Sequence, residues 1–369
     1  MIQHKLGQAL LVAAMVLASA GATGQIRIGQ TSSFTGPVAA GVKEGTDGAK
    51  LYIDAINAAG GINGQTIELI SLDDKFDAKL AAENAQKLID QGVVALFFNR
   101  GTPQTQAIMP VLSKARVPLI APSTGAMVLH EPVHPWVFNV RATYQREAEH
   151  VVHHLATIGL TRIVLLQSND TFGDDGAAGA MKGFAKAGIK PTLHIKYDRA
   201  KPDFAPVAPQ VFAADAQAVV FVGAGTQVVD GVAAIRKAGS RAQIVTLSNN
   251  AASGFIKALG ANARGTVVSQ VFPFERSLGS PLVKDLLEKL GGKAEPTPAM
   301  LEGFAAAKVL VEALKRAGKN PTPASIKTAL ESFKRVDIGG LEVSFSATDH
   351  SGLDYADLSI IGADGRFRR

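Results

Sequence analysis

From Ile26 to Leu247 the chain repeats one unit: a short apolar run without alternation, a turn of small polar residues, and a segment with helical apolar spacing. Apolar runs of this kind read as strands buried on both faces, and strand–helix repetition makes them parallel, joined by right-handed crossovers. The pattern predicts strands at Ile26–Gln30, Ile67–Leu72, Val93–Phe98, Val117–Ala121 and Trp136–Val140, with helices near Val38–Ala59 and Ala78–Ile89. A second, similar array begins at Tyr144. It has helices Gln145–Ile158, Phe204–Ala214 and Val228–Ala238, a further helix running to Ala187, and strands Arg162–Gln167, Thr192–Tyr197, Ala218–Gly223 and Gln243–Leu247. The fold class is therefore α/β, as two βα arrays in series. Beyond Asn249-Asn250 the pattern predicts a short helix, a strand Thr266–Val271 and helices near Pro281–Leu290, Pro298–Ala317 and Pro323–Phe333. Leu341–Ser346 and Tyr355–Ile360 then alternate apolar and polar residues, as hairpin strands do.

The stretch Ala95–Met127 carries the strongest functional signal. Its two strands end in Asn99-Arg100-Gly101-Thr102 and in Ser123-Thr124-Gly125, and a helix is expected straight after each. Pro103 suits a first helical turn, and Thr102 or Ser123 can serve as N-cap. Two helix N-termini would then aim N–H groups and hydroxyls at one spot beyond the carboxyl ends of parallel strands. Open α/β sheets bind ligands there, and the chemistry favours a small anion or carboxylate. The loop Thr31–Pro37, which includes Phe34, is a third turn of the same kind.

Composition excludes several classes. The chain has 369 residues, 47% hydrophobic and 19% charged, enough for two cores. Residues 1–24 read as a secretory signal peptide: Lys5, an apolar run Leu10–Ala18, then small residues, with cleavage after Ala20 or Gly24. Cleavage after Gly24 is preferred, because the mature chain then opens with a strand at Gln25-Ile26-Arg27-Ile28. With no cysteine there is neither disulfide nor thiol chemistry. The net charge of +6 is spread along the chain apart from the basic tail Arg366–Arg369, so nucleic acid is not implied. His150, His153 and His154 share a helical face, and His130 and His134 flank a proline-rich loop; solvated histidines are expected over a metal site. Asp73-Asp74 is expected to cap a helix or brace a loop, in preference to forming a metal or acid/base pair. GxGxxG, GxSxG, HExxH and Walker A motifs are absent, so nucleotide and hydrolytic chemistry lack a motif. No cofactor is expected.

The chain resembles the type I periplasmic solute-binding proteins of ABC importers, of the leucine/isoleucine/valine-binding kind. The resemblance is carried by Ser32–Gly64, Leu72–Ile89, the stretch Ala95–Met127, NDTFGDDG at Asn169–Gly176 and KPDFAPV at Lys201–Val207. It implies two Rossmann-like lobes joined by three hinge crossings, expected near Val140–Tyr144, Leu247–Asn250 and Val336–Leu341. One lobe would comprise residues 25–143 and 250–338, and the other residues 144–249 and 339–369. It further implies a ligand in the interlobe cleft, covered by hinge closure, and a transient partnership with an inner-membrane permease. A soluble periplasmic monomer is the expected state.

Carried over residue by residue, the resemblance also shows departures. The family's carboxylate-binding serine falls at Gly101, and a family threonine falls at Gly125; Thr102, Ser123 and Thr124 could substitute. The acid that faces a ligand's ammonium group falls at Gln227, a neutral amide, and Arg100 adds a positive charge close by. The aromatic positions read Gly41, Phe172, Phe204 and the Phe272–Phe274 loop, with Tyr144 and Asn250 at the crossings. The expected ligand is a carboxylate-bearing organic solute, aromatic or aliphatic, with an amino acid or amide as the alternative. A sensory receptor of the same fold is the rival binding role. An α/β hydrolase or lyase is the rival enzyme, and it lacks a histidine in the ligand loops.

Overall fold

The computed structural model describes residues 24–369. The signal-peptide reading lies almost wholly outside the described residues. Among those described, no helix is long and apolar enough to cross a membrane.

The elements run β1 (Ile26–Ser32), α1 (Ala39–Ala58), β2 (Ile67–Asp73), α2 (Ala78–Asp90), β3 (Ala95–Phe97), α3 (Thr102–Ala115), β4 (Leu119–Ile120) and β5 (Val137–Phe138). These strands form a parallel sheet in the order β2-β1-β3-β4-β5. There follow α4 (Tyr144–Thr157), β6 (Ile163–Ser168), α5 (Thr171–Lys186), β7 (Leu193–Tyr197), α6 (Val207–Ala213), β8 (Ala218–Val222), α7 (Thr226–Lys237) and β9 (Gln243–Thr246). Next come α8 (Ser253–Leu259), β10 (Val267–Gln270), α9 (Pro281–Leu290), α10 (Pro298–Ala317), α11 (Pro323–Glu331), β11 (Val336–Asp337), β12 (Glu342–Val343), β13 (Asp357–Ile361) and β14 (Phe367–Arg368). The second sheet has seven strands in the order β14-β13-β10-β9-β8-β6-β7, with β13 and β14 antiparallel.

Two boundaries differ from the sequence reading. Residues 250–270 belong to the second lobe, since β10 pairs parallel with β9 and α8 packs into that lobe's core. Asn249-Asn250 forms a 3-10 turn tied back to Gly223, so the chain does not cross there. It crosses after β10, where Val271 and Phe272 enter the first-lobe core. Val336–Leu341 is likewise no crossing. It makes the small β11–β12 sheet, whose Val336, Ile338, Val343 and Phe345 stay in the first-lobe core. The return comes at Ser351–Leu353, which runs beside the first crossing: Gly352 N donates to Asn139 O and Leu353 N to Val140 O, both at 2.9 Å. Tyr355–Ile360 does not pair with Leu341–Ser346; β13 lies between β10 and β14 instead.

The helix pair α1–α10 holds the C-terminal helices to the first lobe by backbone proximity. A Cβ on Gly48 would lie 2.0 Å from Met300 O, and one on Gly303 would lie 1.8 Å from Gly45 O. Side chains at either position would push the helices apart.

Candidate functional site

In both sheets the strand order reverses once among the parallel strands, between β1 and β3 and between β6 and β8. Crevices form at such switch points outside the carboxyl ends of the strands. The loops after β1, β3, β6 and β8 meet across the interlobe boundary. Thr226 N donates to Pro37 O at 3.1 Å, and Thr171 Oγ1 to Gln106 Oε1 at 2.6 Å.

The loop after β1 is shaped by the two aspartates. The buried Asp74 carboxylate accepts from Ser33 Oγ (2.6 Å), Thr31 Oγ1 (3.2 Å) and Phe76 N (3.0 Å), while Asp73 accepts from Thr35 Oγ1 (2.6 Å) and Lys75 N (3.0 Å). Burial pushes the Asp74 carboxyl up, and these donors oppose the push. The pair braces the loop. Phe34 is half-buried there beside Val38, Val42 and Phe76.

The loop after β3 is the polar floor. Gly101 caps α3 with φ +99°, a conformation that L side chains rarely adopt; a Cβ there would also meet Gln104 Oε1 at 2.2 Å. The N-cap is thus Gly101, and neither Thr102 nor Ser123 has that role. Ser123-Thr124-Gly125 leads into a short 3-10 turn, Met127–Leu129, in place of the α-helix expected straight after it. Thr102 Oγ1 instead shares a 2.8 Å hydrogen bond with Thr124 Oγ1, and Tyr144 lies buried at the start of α4. Burial raises the Tyr144 pKa, keeping the phenol neutral. Phe172 meets the Tyr144 ring edge-on at 4.9 Å. Gly125 serves the hinge: a Cβ would strike Ala142 O at 2.6 Å, and its carbonyl accepts from Tyr144 N.

Arg100 is 7% exposed. Its Nη1 donates to Ser123 Oγ at 3.1 Å, and its Nη2 reaches across to the carbonyl of Asn249 in the second lobe. Among the described residues no carboxylate pairs with it. Two other arginines are neutralised: the buried Arg141 by Glu147, with Glu302 at 3.8 Å, and the partly buried Arg199 by Asp170. Glu147 also accepts from Ser248 N and Ser269 Oγ, so the hinge ion pair is well donated.

The second lobe places several expected residues away from the floor. Gln227 turns inward: its Nε2 donates to Arg199 O (2.9 Å) and its Oε1 accepts from the Tyr197 hydroxyl (3.2 Å). Asn250 braces the loops, accepting from Gly225 N and donating to Gly223 O and Thr246 Oγ1. Phe204 packs on Tyr197 and Phe221 in the second-lobe core, and Phe272 is buried in the first-lobe core. Phe274 is half-buried against the second-lobe core. Phe204 and Phe272 thus fill cores instead of walling the floor, and Phe274 packs against one. The pattern did not reveal Arg199, whose guanidinium lies 4.3 Å over the Phe76 ring of the other lobe, nor Asn249. Phe76 directly follows Asp73-Asp74-Lys75, which was the only local hint.

Beside Arg100 lies a cavity of about 150 Å³ between Pro37 and Gly41 on one side and Gly225, Val229 and Phe255 on the other. His130 Nδ1 and Ser351 Oγ are hydrogen-bonded at 2.8 Å, and His134 Nε2 and Ser113 Oγ likewise. Among the described residues no group of three His, Cys, Asp or Glu side chains is placed to hold a metal ion.

A two-lobed α/β molecule with facing switch points and a polar floor between them defines a solute-binding fold. Residues 25–360 match the family model described as periplasmic binding protein. The chain belongs to this family, as a type I member of the leucine/isoleucine/valine-binding-protein group. It is similar to the Leu/Ile/Val-binding protein homolog 3 of Brucella melitensis, 25% identical over 93% of both chains. It is also similar to an amino acid binding protein of Pseudomonas aeruginosa, 25% identical over 85% of this chain and 84% of that one. Among solved structures, a substrate-binding periplasmic protein from Ralstonia solanacearum superposes with a TM-score of 0.85 at 30% identity, covering 93% of this chain and 99% of that one. An extracellular ligand-binding receptor from Verminephrobacter eiseniae gives 0.83 at 30% identity, covering 94% and 100%. The family is one of solute-binding proteins, not enzymes.

Proposed function

We propose that this protein is the periplasmic solute-binding component of an ABC importer, and that its ligand is a small carboxylate-bearing organic solute, aromatic in class. The supporting observation is Arg100: a buried guanidinium at the lobe boundary, with a hydroxyl and a carbonyl as partners but no carboxylate among the described residues. A buried charge without a counter-ion is strongly disfavoured, so the site favours an anion that supplies one. Ser123, Thr102 and Thr124 stand beside it as neutral hydroxyl donors. Tyr144 and Phe172 pack edge to face within the second-lobe core, and the apolar room for a ring is the interlobe cavity between Pro37–Gly41 and Val229–Phe255. The closed, ligand-bearing monomer then docks transiently on the permease.

The relatives' names favour a second reading, an amino acid ligand. Such a ligand needs a carboxylate for its ammonium group. Gln227 is neutral and engaged by Tyr197 and Arg199, and Asp170 is spent on Arg199. The test is a thermal-shift and calorimetric panel on the mature protein that pairs each amino acid with its deaminated acid. Tighter binding of the deaminated partners is expected, since a cleft ligand stabilises as the logarithm of its concentration over Kd. Micromolar binding of leucine, isoleucine or valine would decide for the second reading.

A further inference from the structure

Three glycines follow one another at intervals along α1, and two of them have a packing reason. A Cβ on Gly45 would meet the Phe98 ring at 2.7 Å, and one on Gly48 would meet Met300 O at 2.0 Å. Gly41 is different. A Cβ there would have only ordinary contacts, 3.7 Å to Ala252 Cβ and 3.8 Å to Arg100 Nη2. Its backbone has no positive φ, and a helix-interior glycine costs about 0.5–1 kcal/mol relative to alanine. Neither strain nor packing demands a glycine at this position.

What the missing side chain leaves is space. Gly41 lines the interlobe cavity of about 150 Å³, whose other walls include Pro37, Val38, Val229, Ala252 and Phe255. Asn249, whose carbonyl receives Arg100 Nη2, lines it too. The unneutralised guanidinium and the apolar cavity therefore adjoin at Gly41. An apolar cavity of about 150 Å³ is large enough to hold benzene.

We infer that this cavity seats the apolar end of the ligand, that it takes a single unfused ring, and that Gly41 is the residue that keeps it open. The inference rests on the carboxylate reading above, because it orients the ligand with its acid group at Arg100 and its ring between α1 and α7–α8. Ligand size is then set by the first lobe through Gly41 and by the second through Val229, and both lobes must close to form the pocket.

Isothermal titration of the mature protein with acetate, butyrate, benzoate and phenylacetate tests this, with Gly41→Leu and Val229→Phe as variants that fill the cavity from opposite walls. Thermal unfolding reports whether each variant folds, and the second variant keeps the test alive should the first fail to fold. The ring acids are expected to bind wild-type protein at least about tenfold tighter than the chain acids, and each variant is expected to erase that ratio. A ring preference that survives in the folded variants overturns the inference, as does wild-type protein binding chain acids as tightly as ring acids. In both cases the carboxylate reading stands. A blank in every arm, acetate and butyrate included, overturns the carboxylate reading and this inference with it.

Discussion

Arg100 and Arg141 illustrate two ways of burying a guanidinium. Arg141 sits in the first crossing, paired with Glu147, donating to Ser248 Oγ at 2.6 Å and stacked 4.7 Å from the Tyr144 ring; the Glu147 beside it raises its pKa against the opposing effect of burial. Arg100 has no carboxylate partner among the described residues and reaches across the lobe boundary to Asn249. Arg100→Gln is therefore expected to weaken carboxylate binding by about 1.5–3 kcal/mol, as for a lost charged hydrogen bond, without lowering the unliganded midpoint of thermal unfolding. Calorimetry and a thermal melt on the same preparation check both halves. At Glu275, 2% exposed, burial pushes the carboxyl up to about 7 from its ordinary 4.5. Between those two values the unfolded chain has released the proton while the folded chain keeps it. Stability should fall as pH rises through that window, by up to about 3 kcal/mol. Urea unfolding of Glu275→Gln across pH 4.5–7 should show a flatter profile than wild type.

At the level of elements, three helices start at the prolines that announced them: Pro281, Pro298 and Pro323 each sit at the first turn of α9, α10 and α11. Thr297 and Thr322 cap the last two by accepting from backbone N–H groups. The α1–α10 contact was not announced in this way, because small residues in a helix do not name their partner. Gly303→Ala should cost about 1–3 kcal/mol or more, since its Cβ would lie 1.8 Å from Gly45 O, a backbone atom with little room to move. The urea midpoint should drop while far-ultraviolet circular dichroism stays helical.

For the molecule as a whole, ligand affinity includes the free energy of bringing the lobes together. Arg199 over Phe76 is one of the contacts that link the lobes, and it lies between groups that are not assigned to the ligand floor. Phe76→Leu should lower the affinity for every ligand by one common factor, about 2- to 30-fold for a cation–π contact. A loss that differs from ligand to ligand would mean that the ring touches the ligand itself. Small-angle scattering is expected to show a smaller radius of gyration on ligand saturation, with the change reduced in that variant at equal ligand concentration.

Local pattern determined much of this protein: the βα repetition, the parallel sheets, most strand and helix positions, and the loops Asn99–Thr102 and Ser123–Gly125 on which the proposed ligand site rests. These follow from periodicities of a few residues, set by neighbours in the chain. Tertiary structure decided which sheet takes a strand. Val267–Gln270 reads the same whichever sheet it joins, and only its pairing with Val245-Thr246 puts it in the second lobe. It also decided which polar groups are free. Gln227, Asn250 and Arg100 are alike in sequence as polar residues at loop ends, yet the first two are consumed by partners 4 to 30 residues away in the chain. Arg100 reaches a carbonyl 149 residues on and keeps its charge unpaired, because hydrogen-bond and ion-pair partners are chosen by proximity in space and not by order along the chain.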